Sequence, residues 1–263
     1  MILPAMNWLG LINPEKFLLF TLVLVRTSGL VVTAPIFGTR EVPAQVRVLL
    51  ALALAMLIAP TQMHRSVPEP NTTPMYLVLV GSELLVGMCL GLAIVILLTG
   101  LHLAGEMIGY TSGMMLADLY DPSFDNQTPL FSRLMFLVGT AVFVCIGGHR
   151  AVVGALLDTF AAIPPGTVGL PQSLPETMVL LVVQSFALAV RAAMPVVASL
   201  LLTSLVLGLI GRTVPQLNVL LLGFGFNSLV ALGVLSLTIG AAAWALQDYA
   251  EPALEMIQEA LLS

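Results

Sequence analysis

Charge is what this sequence has least of. Only 9% of its 263 residues are Asp, Glu, Lys or Arg, whereas about 25% is typical of a globular protein. Hydrophobic residues make up 59%, and 22 glycines add to them. A soluble core of this size needs a polar surface that so few charges cannot supply. The composition therefore excludes a soluble globular enzyme, a disordered tail and a disulfide scaffold, and it predicts a polytopic helical membrane protein or a subunit buried against partners.

Lysine and cysteine are also scarce. Lys16 is the one lysine among nine basic residues, and no run of Lys or Arg exists, so nucleic-acid binding is not expected. Cys89 and Cys145 lie in separate apolar runs, which favours packing over a disulfide or a metal site. No basic residue precedes Lys16, so the N-terminus lacks the shape of a signal peptide and the first helix is expected to stay on the chain.

Catalytic motifs are missing as well. The zinc-protease pattern His-Glu-x-x-His is absent, and the three histidines are far apart in the sequence, although two of them would have to share one helix face to hold a metal. No phosphate-binding loop or dinucleotide fingerprint is present. We therefore expect neither an enzyme nor a cofactor.

The apolar runs differ in length. Val48–Ala59 is shorter than the roughly 20 residues that a span needs, whereas the uncharged stretch Thr213–Gln247 is too long for one span and predicts two spans or a broken hairpin. Pro195 and Pro215 lie where helices should continue, and such breaks must face protein or water. The Lys and Arg residues show no clear bias that would give an orientation. We predict one all-α domain over 1–263 that looks polytopic, with broken apolar helices and helical hairpins.

Five charged residues lie in or at the rim of apolar runs, and three of them are candidates for burial, namely Arg26, Glu83 and Asp158. A charge in hydrocarbon costs at least ~2.5–3.5 kcal/mol on insertion scales, so we predict that these charges are buried against protein. Arg26 and Glu83 are the best candidates for a pair. A subunit contact, a proton or ion path, and snorkelling of Asp158 at a helix end remain open alternatives.

The segment 211–218 predicts a helix break that contacts another subunit. Pro215 removes a backbone donor, while Arg212, Gln216 and Asn218 supply polar groups at that point. Amide side chains can satisfy freed backbone groups or bridge to a neighbour. Gly223 opens a Gly-Phe-Gly stretch that we interpret as a second flexible point. A simple kink with self-satisfied amides is the alternative.

The last part of the chain, about 245–263, is acidic. Asp248 is followed by Glu251, Glu255 and Glu259 at nearly helical spacing, opposite an apolar side that holds Leu254, Ile257 and Leu261. This pattern predicts an amphipathic helix with an acidic face. The face is either solvated or docks a protein partner.

Taken in order along the chain, several short motifs resemble the FliR family of flagellar biosynthesis proteins, which are relatives of the injectisome export-apparatus subunit of the same type. The order and spacing of these motifs carry the resemblance. They are Arg26-Thr27-Ser28-Gly29-Leu30, Ala34-Pro35-Ile36-Phe37-Gly38, Val42-Pro43, Ala104-Gly105-Glu106-Met107-Ile108-Gly109, Asp121-Pro122, Gly147-Gly148-His149, Ile163-Pro164-Pro165-Gly166, Pro195 and Arg212-Thr213-Val214-Pro215-Gln216-Leu217-Asn218-Val219.

The resemblance implies a structural, protein-conducting subunit of the bacterial flagellar type III export gate. Such a subunit lies in the inner membrane at the flagellar basal body. It assembles with FliP and FliQ, joins FlhB- and FlhA-like subunits, and passes unfolded exported proteins. Members of the family look polytopic yet form a helical stack held largely above the bilayer plane. Alternatives are an injectisome gate subunit of the same family or, further away, a secondary transporter.

The resemblance also implies a plug that closes the pore, which we assign to the glycine-rich loop around 109–121. A seal needs deformable apolar side chains on a backbone that can move, and glycine and methionine provide both. The residues assigned to the plug are Gly109, Tyr110, Gly113, Met114, Met115, Asp118, Asp121 and Pro122. Packing of Met114 and Met115 in an ordinary helix is the alternative. Gly225 and Asn227 stand where the family usually has proline and lysine.

Overall fold

The computed structural model describes residues 14–35, 42–65, 72–114, 129–167, 173–214, 216 and 219–262, although nothing is described of the side chains of 219–221 and 262. Within these residues the chain forms helices and no strand, which confirms the all-α prediction. The helices are α1 (Pro14–Thr33), α2 (Ala44–Gln62), α3 (Thr73–Ser112), α4 (Leu130–Cys145), α5 (Gly148–Ala162), α6 (Leu174–Thr213) and α7 (Val219–Leu262).

Helix α1 begins at a proline that fits the first turn, and Glu15 lies at the positive end of the helix dipole. Its buried side follows a helical period through Leu19, Leu22 and Val23, because residues three and four apart share one face. Helix α1 packs against α2 and crosses α3.

Glycines allow α1 and α3 to approach closely. A Cβ atom at Gly29 would lie 2.6 Å from the Leu84 carbonyl oxygen, and one at Gly87 would collide with the carbonyl group of Arg26. A Cβ atom at Gly91 would collide with Thr33. Gly87 and Gly91 are four residues apart, which is the spacing of small residues at close helix crossings in membranes. This crossing fixes where Arg26 meets α3.

Two predicted helix breaks are wrong. Helix α6 runs without interruption through Arg191 and Pro195 for 40 residues, and α7 continues for 44 residues past Gly223 and the stretch that we expected to break. Pro195 is exposed on α6, so its ring needs no room inside the protein. A proline inside a membrane helix is tolerated when neighbouring groups satisfy the freed carbonyl. The predicted break near Pro215 does separate two helices, since α6 ends at Thr213 and α7 begins at Val219.

The chain forms two compact units. One contains Met1–Val95, His149–Met178 and Leu254–Ser263, and the other contains Ile96–Gly148 and Val179–Ala253. The chain therefore passes between the units more than once. That residues 1–263 act as one domain stays a prediction.

Much of the apolar surface of the chain remains uncovered. Five of the described helices are long and apolar enough to cross a membrane, or six spans exist if α4 and α5 together form one broken span. In the most apolar stretch of α6 only 17% of the residues are buried, and in that of α2 only 22%. Leu237 and Trp244 on α7 are largely exposed. These helices need a bilayer or other subunits to cover them.

Candidate functional site

Arg26 and Glu83, which the sequence singled out as candidate partners, form a buried ion pair. Arg26 Nε donates to Glu83 Oε2 at 2.6 Å, and both side chains are at most 2% exposed. The pair joins α1 to α3 at the glycine crossing described above. Removing one member would leave a buried charge unpaired, which typically costs 3–5 kcal/mol.

The remaining polar atoms of the pair hold the turn after α5. Arg26 Nη1 donates to the carbonyl oxygen of Ile163 at 3.1 Å, and the Gly166 amide donates to Glu83 Oε1 at 2.8 Å. Gly166 has a φ of +86°, a conformation that a residue with a Cβ atom rarely adopts. The Arg26 guanidinium also stacks on Phe160, with Cζ 4.3 Å from the ring centroid. The two charges and their partners therefore come from three separate stretches of the chain, namely α1, α3 and residues 160–166.

A second arginine binds the same helix end. Arg65 Nη1 donates to the Phe160 carbonyl oxygen at 3.2 Å, and its Nη2 donates to the Ala161 carbonyl oxygen at 3.0 Å. Carbonyl groups in the last turn of a helix lack intrahelical partners and carry the negative end of the dipole. Two arginines thus cap the C-terminal end of α5, one buried and one partly exposed.

The prediction that Asp158 is buried is wrong for this chain. Asp158 is exposed on α5 and accepts a hydrogen bond from Gln258 Nε2 of α7 at 3.3 Å. It lies one residue before Thr159, which is buried; successive residues of a helix are about 100° apart and so face different sides. The apolar run around Asp158 therefore has one outward face, which the sequence run alone did not reveal.

The residues assigned to the plug do not all lie in a loop. Gly109 and Tyr110 belong to α3, which ends only at Ser112. Gly109 is buried, and Tyr110 is exposed. Gly113 follows the helix with a φ of +81°, and its amide donates to the Tyr110 carbonyl oxygen at 3.2 Å, as a glycine at a helix end commonly does. Met114 is half-buried, and Met115, Asp118, Asp121 and Pro122 lie outside the described residues.

A cavity of about 370 Å³ lies beside the end of α3. A Cβ atom at Gly113 would lie 2.9 Å from Cε1 of Phe224 on α7. Asn227, also on the wall of this cavity, has a buried Oδ1 without a hydrogen-bond partner in the described structure. The end of α3 is therefore held against the Phe224 ring and is next to free space. The predicted flexible point at Gly223 is wrong, because Gly223 lies inside α7, where a Cβ atom would lie 3.9 Å from Leu207 Cδ1.

The other predicted contact residues are only partly described. Arg212 lies in the last turn of α6 and is exposed, as is Gln216. The Val214 amide donates to the Ile210 carbonyl oxygen at 2.9 Å and so extends the last helical turn. Pro215 and Asn218 lie outside the described residues.

The acidic end of the chain is an amphipathic helix, as predicted. Helix α7 continues to Leu262, and Leu254, Ile257 and Leu261 are buried. The carboxylates of Glu251, Glu255 and Glu259 are exposed.

Sequence reasoning found the ionic pair but missed most of its surroundings. No feature of the sequence predicted the role of Arg65. Arg65 lies in a polar stretch after α2 and binds carbonyl oxygens that are 95 and 96 residues away. Gly166 had a partial signal, since a glycine after two prolines predicts a turn. The cation–π contact with Phe160 could not be predicted from spacing.

Comparisons with known proteins agree with this architecture. The model of the family described as bacterial export proteins, family 1, matches residues 17–252. The chain is 32% identical to the flagellar biosynthetic protein FliR of Bacillus subtilis, and the match covers 80% of this chain and 81% of that protein. It is 30% identical to FliR of Aquifex aeolicus over 87% of this chain and 88% of that protein. For FliR of Escherichia coli the identity is 29%, over 88% of this chain and 85% of that protein. The chain therefore belongs to the FliR family of bacterial export proteins.

Proposed function

We propose that this chain is a structural, protein-conducting subunit of the bacterial flagellar type III export gate. The observation that carries the proposal is the match to FliR proteins, which covers most of this chain and most of each relative. The uncovered apolar faces of α2 and α6 support it, because a gate subunit must present such faces to a bilayer or to neighbouring subunits. The protein acts by assembly and not by catalysis.

We further propose that its partners are FliP- and FliQ-like subunits, together with FlhB- and FlhA-like subunits, in the inner membrane at the basal body. Unfolded exported proteins are its cargo. Arg212 and Gln216 support a subunit contact at the end of α6, since both are polar and exposed next to strongly apolar helices. The break that follows α6 provides the polar backbone groups for such a contact.

The function is tested by deleting the gene and restoring it on a plasmid. We expect the deletion strain to be non-motile and to secrete no flagellar subunits into the medium, and the wild-type copy to restore both. Motility and secretion that persist in the deletion strain would contradict the flagellar role. If loss of secretion is instead confined to the substrates of an injectisome, the related gate is the correct assignment.

The plug assignment is a separate proposal about the segment that follows α3. Gly113 supports it, because its left-handed conformation lets the chain leave the helix at this point, and the half-buried Met114 follows. Deletion of residues 110–116 should leave the gate assembled but leaky. Dye entry and slowed growth in high salt should appear only when the partner subunits are expressed. An assembled deletion complex that stays tight to ions and dyes would remove the plug from this segment.

A further inference from the structure

One face of the C-terminal half of α3 combines polar and apolar side chains. His102, Glu106 and Tyr110 recur at every fourth residue and therefore lie one above the other on the helix. Tyr110 is 65% exposed, and the neighbouring Met107 is half-exposed. Ala104 and Ile108 on the other side are fully buried. We call the line of His102, Glu106 and Tyr110 the α3 stripe.

The carboxylate of Glu106 is poorly compensated. His102 Nε2 lies 3.5 Å from Glu106 Oε1, which is long for an ion pair, and the two side chains are 30% and 35% exposed. The His102 ring is also engaged with the edge of Phe136 on α4, at a centroid distance of 6.3 Å. Among the described residues the arginines that form ion pairs are Arg26, with Glu83, and Arg191, with Asp248, so no described arginine pairs with Glu106.

Such a carboxylate needs a positive charge from outside. Helix α3 is apolar and long enough to cross a membrane, and an uncompensated carboxylate in an apolar setting is costly. Lipid tails carry no counter-charge, and anionic head groups would repel it. A basic side chain on an apolar partner helix supplies the charge and covers Met107 at the same time.

We propose that the α3 stripe docks an apolar helix of a neighbouring export-gate subunit, and that Glu106 pairs there with an arginine or lysine of that helix. This inference rests on the proposed function, because it needs a gate subunit as the partner. Glu106 sets the register of the docked helix through one ion pair.

The test co-expresses the tagged chain with FliP- and FliQ-like subunits and solubilises the membranes in detergent. It then measures how much of the partner subunits co-purifies with the tagged chain. Glu106→Gln keeps the shape of the side chain and removes its charge, so the yield of partner should fall tenfold or more, as expected when a buried charge loses its partner. Glu176→Gln is the matched control, since Glu176 is an exposed carboxylate in the first turn of α6. It should leave the yield unchanged.

A second pair of variants separates the external partner from the contact with His102. His102→Gln removes the intrahelical partner and should retain most of the complex. Glu106→Lys should abolish assembly. Assembly should return when one lysine or arginine of a partner is changed to glutamate. Wild-type yields in both Glu106 variants, an equal loss in His102→Gln, or suppressors found solely within this chain would overturn the proposal. A wild-type chain that captures no FliP- or FliQ-like subunit would instead contradict the proposed function.

Discussion

At the scale of single residues, the buried pair of Arg26 and Glu83 decides how three parts of the chain meet. Two nitrogens of the guanidinium and both carboxylate oxygens have partners. Arg26 Nε binds Glu83 Oε2, Arg26 Nη1 binds the Ile163 carbonyl oxygen, and the Gly166 amide binds Glu83 Oε1. A buried pair is not in itself a strong source of stability, because desolvation offsets most of the attraction. Its importance is that neither charge can be left alone.

We therefore expect Glu83→Gln and Arg26→Met each to lower the free energy of unfolding by about 3–5 kcal/mol. The double variant Arg26→Met with Glu83→Gln should lose less than the sum of the two single variants, since no charge is then left unpaired. The measurement is the thermal unfolding midpoint of the purified complex, with protein abundance in membranes as a second readout. Arg65→Met is the control. Because Arg65 is partly exposed, this substitution should lower the free energy of unfolding clearly less. Additive losses in the double variant would show that the two side chains are not coupled.

How much the sequence predicts is clearest at this scale. Two lone charges of opposite sign in apolar runs predict a pair, because hydrocarbon penalises each of them. The same reasoning failed for Asp158, since a run of apolar residues in the sequence does not show which side of a short helix faces outward. The hydrogen bond from Gly166 joins residues that are 83 positions apart. Nothing in local spacing encodes such a contact; the close crossing of α1 and α3 creates it.

At the scale of helices, glycine position matters more than glycine number. Gly87 lies where α1 crosses α3, and a Cβ atom there would collide with the Arg26 backbone, whereas Gly81 on the same helix has nothing within 4 Å of its ideal Cβ position. Gly87→Ala should push the helices apart and disturb the ion pair, at a cost of about 1–3 kcal/mol for overpacking. Gly81→Ala should be neutral or stabilise by up to about 1 kcal/mol through better helix propensity. Thermal unfolding of the two purified variants compares them directly, and equal midpoints would contradict the close crossing.

The failed break predictions belong to this scale too. The prediction gave more weight to local signals, namely Pro195 and the glycines near 223, than to the continuous apolar periodicity on either side of them. In an apolar setting every backbone group must find a partner, and a helix provides that throughout its length. Helices of 40 and 44 residues therefore persist across single unfavourable residues. The boundary after Thr213 was predictable because proline and several polar residues coincide there.

At the scale of the whole molecule, the uncovered apolar surface dominates. Helix α6 exposes Leu201, Leu202 and Leu205, and only 17% of its most apolar stretch is buried. Apolar patches beyond a few hundred Å² on a soluble monomer mark interaction sites or cause aggregation. In this chain such surface covers most of a 40-residue helix, together with poorly compensated polar groups such as Glu106.

We therefore expect the chain to be unstable when it is produced alone and stable only in a complex. Expressed without partners, it should aggregate or be degraded after extraction, because detergent covers apolar faces but supplies no counter-charge for Glu106 and no partner for Arg212 and Gln216. Co-expression with FliP- and FliQ-like subunits should give one monodisperse complex by size-exclusion chromatography. Partner subunits from an unrelated membrane transporter serve as the control and should not rescue the chain. A monodisperse monomer that survives purification alone would mean that detergent is a sufficient cover, and that the exposed faces of α2 and α6 meet lipid and not protein.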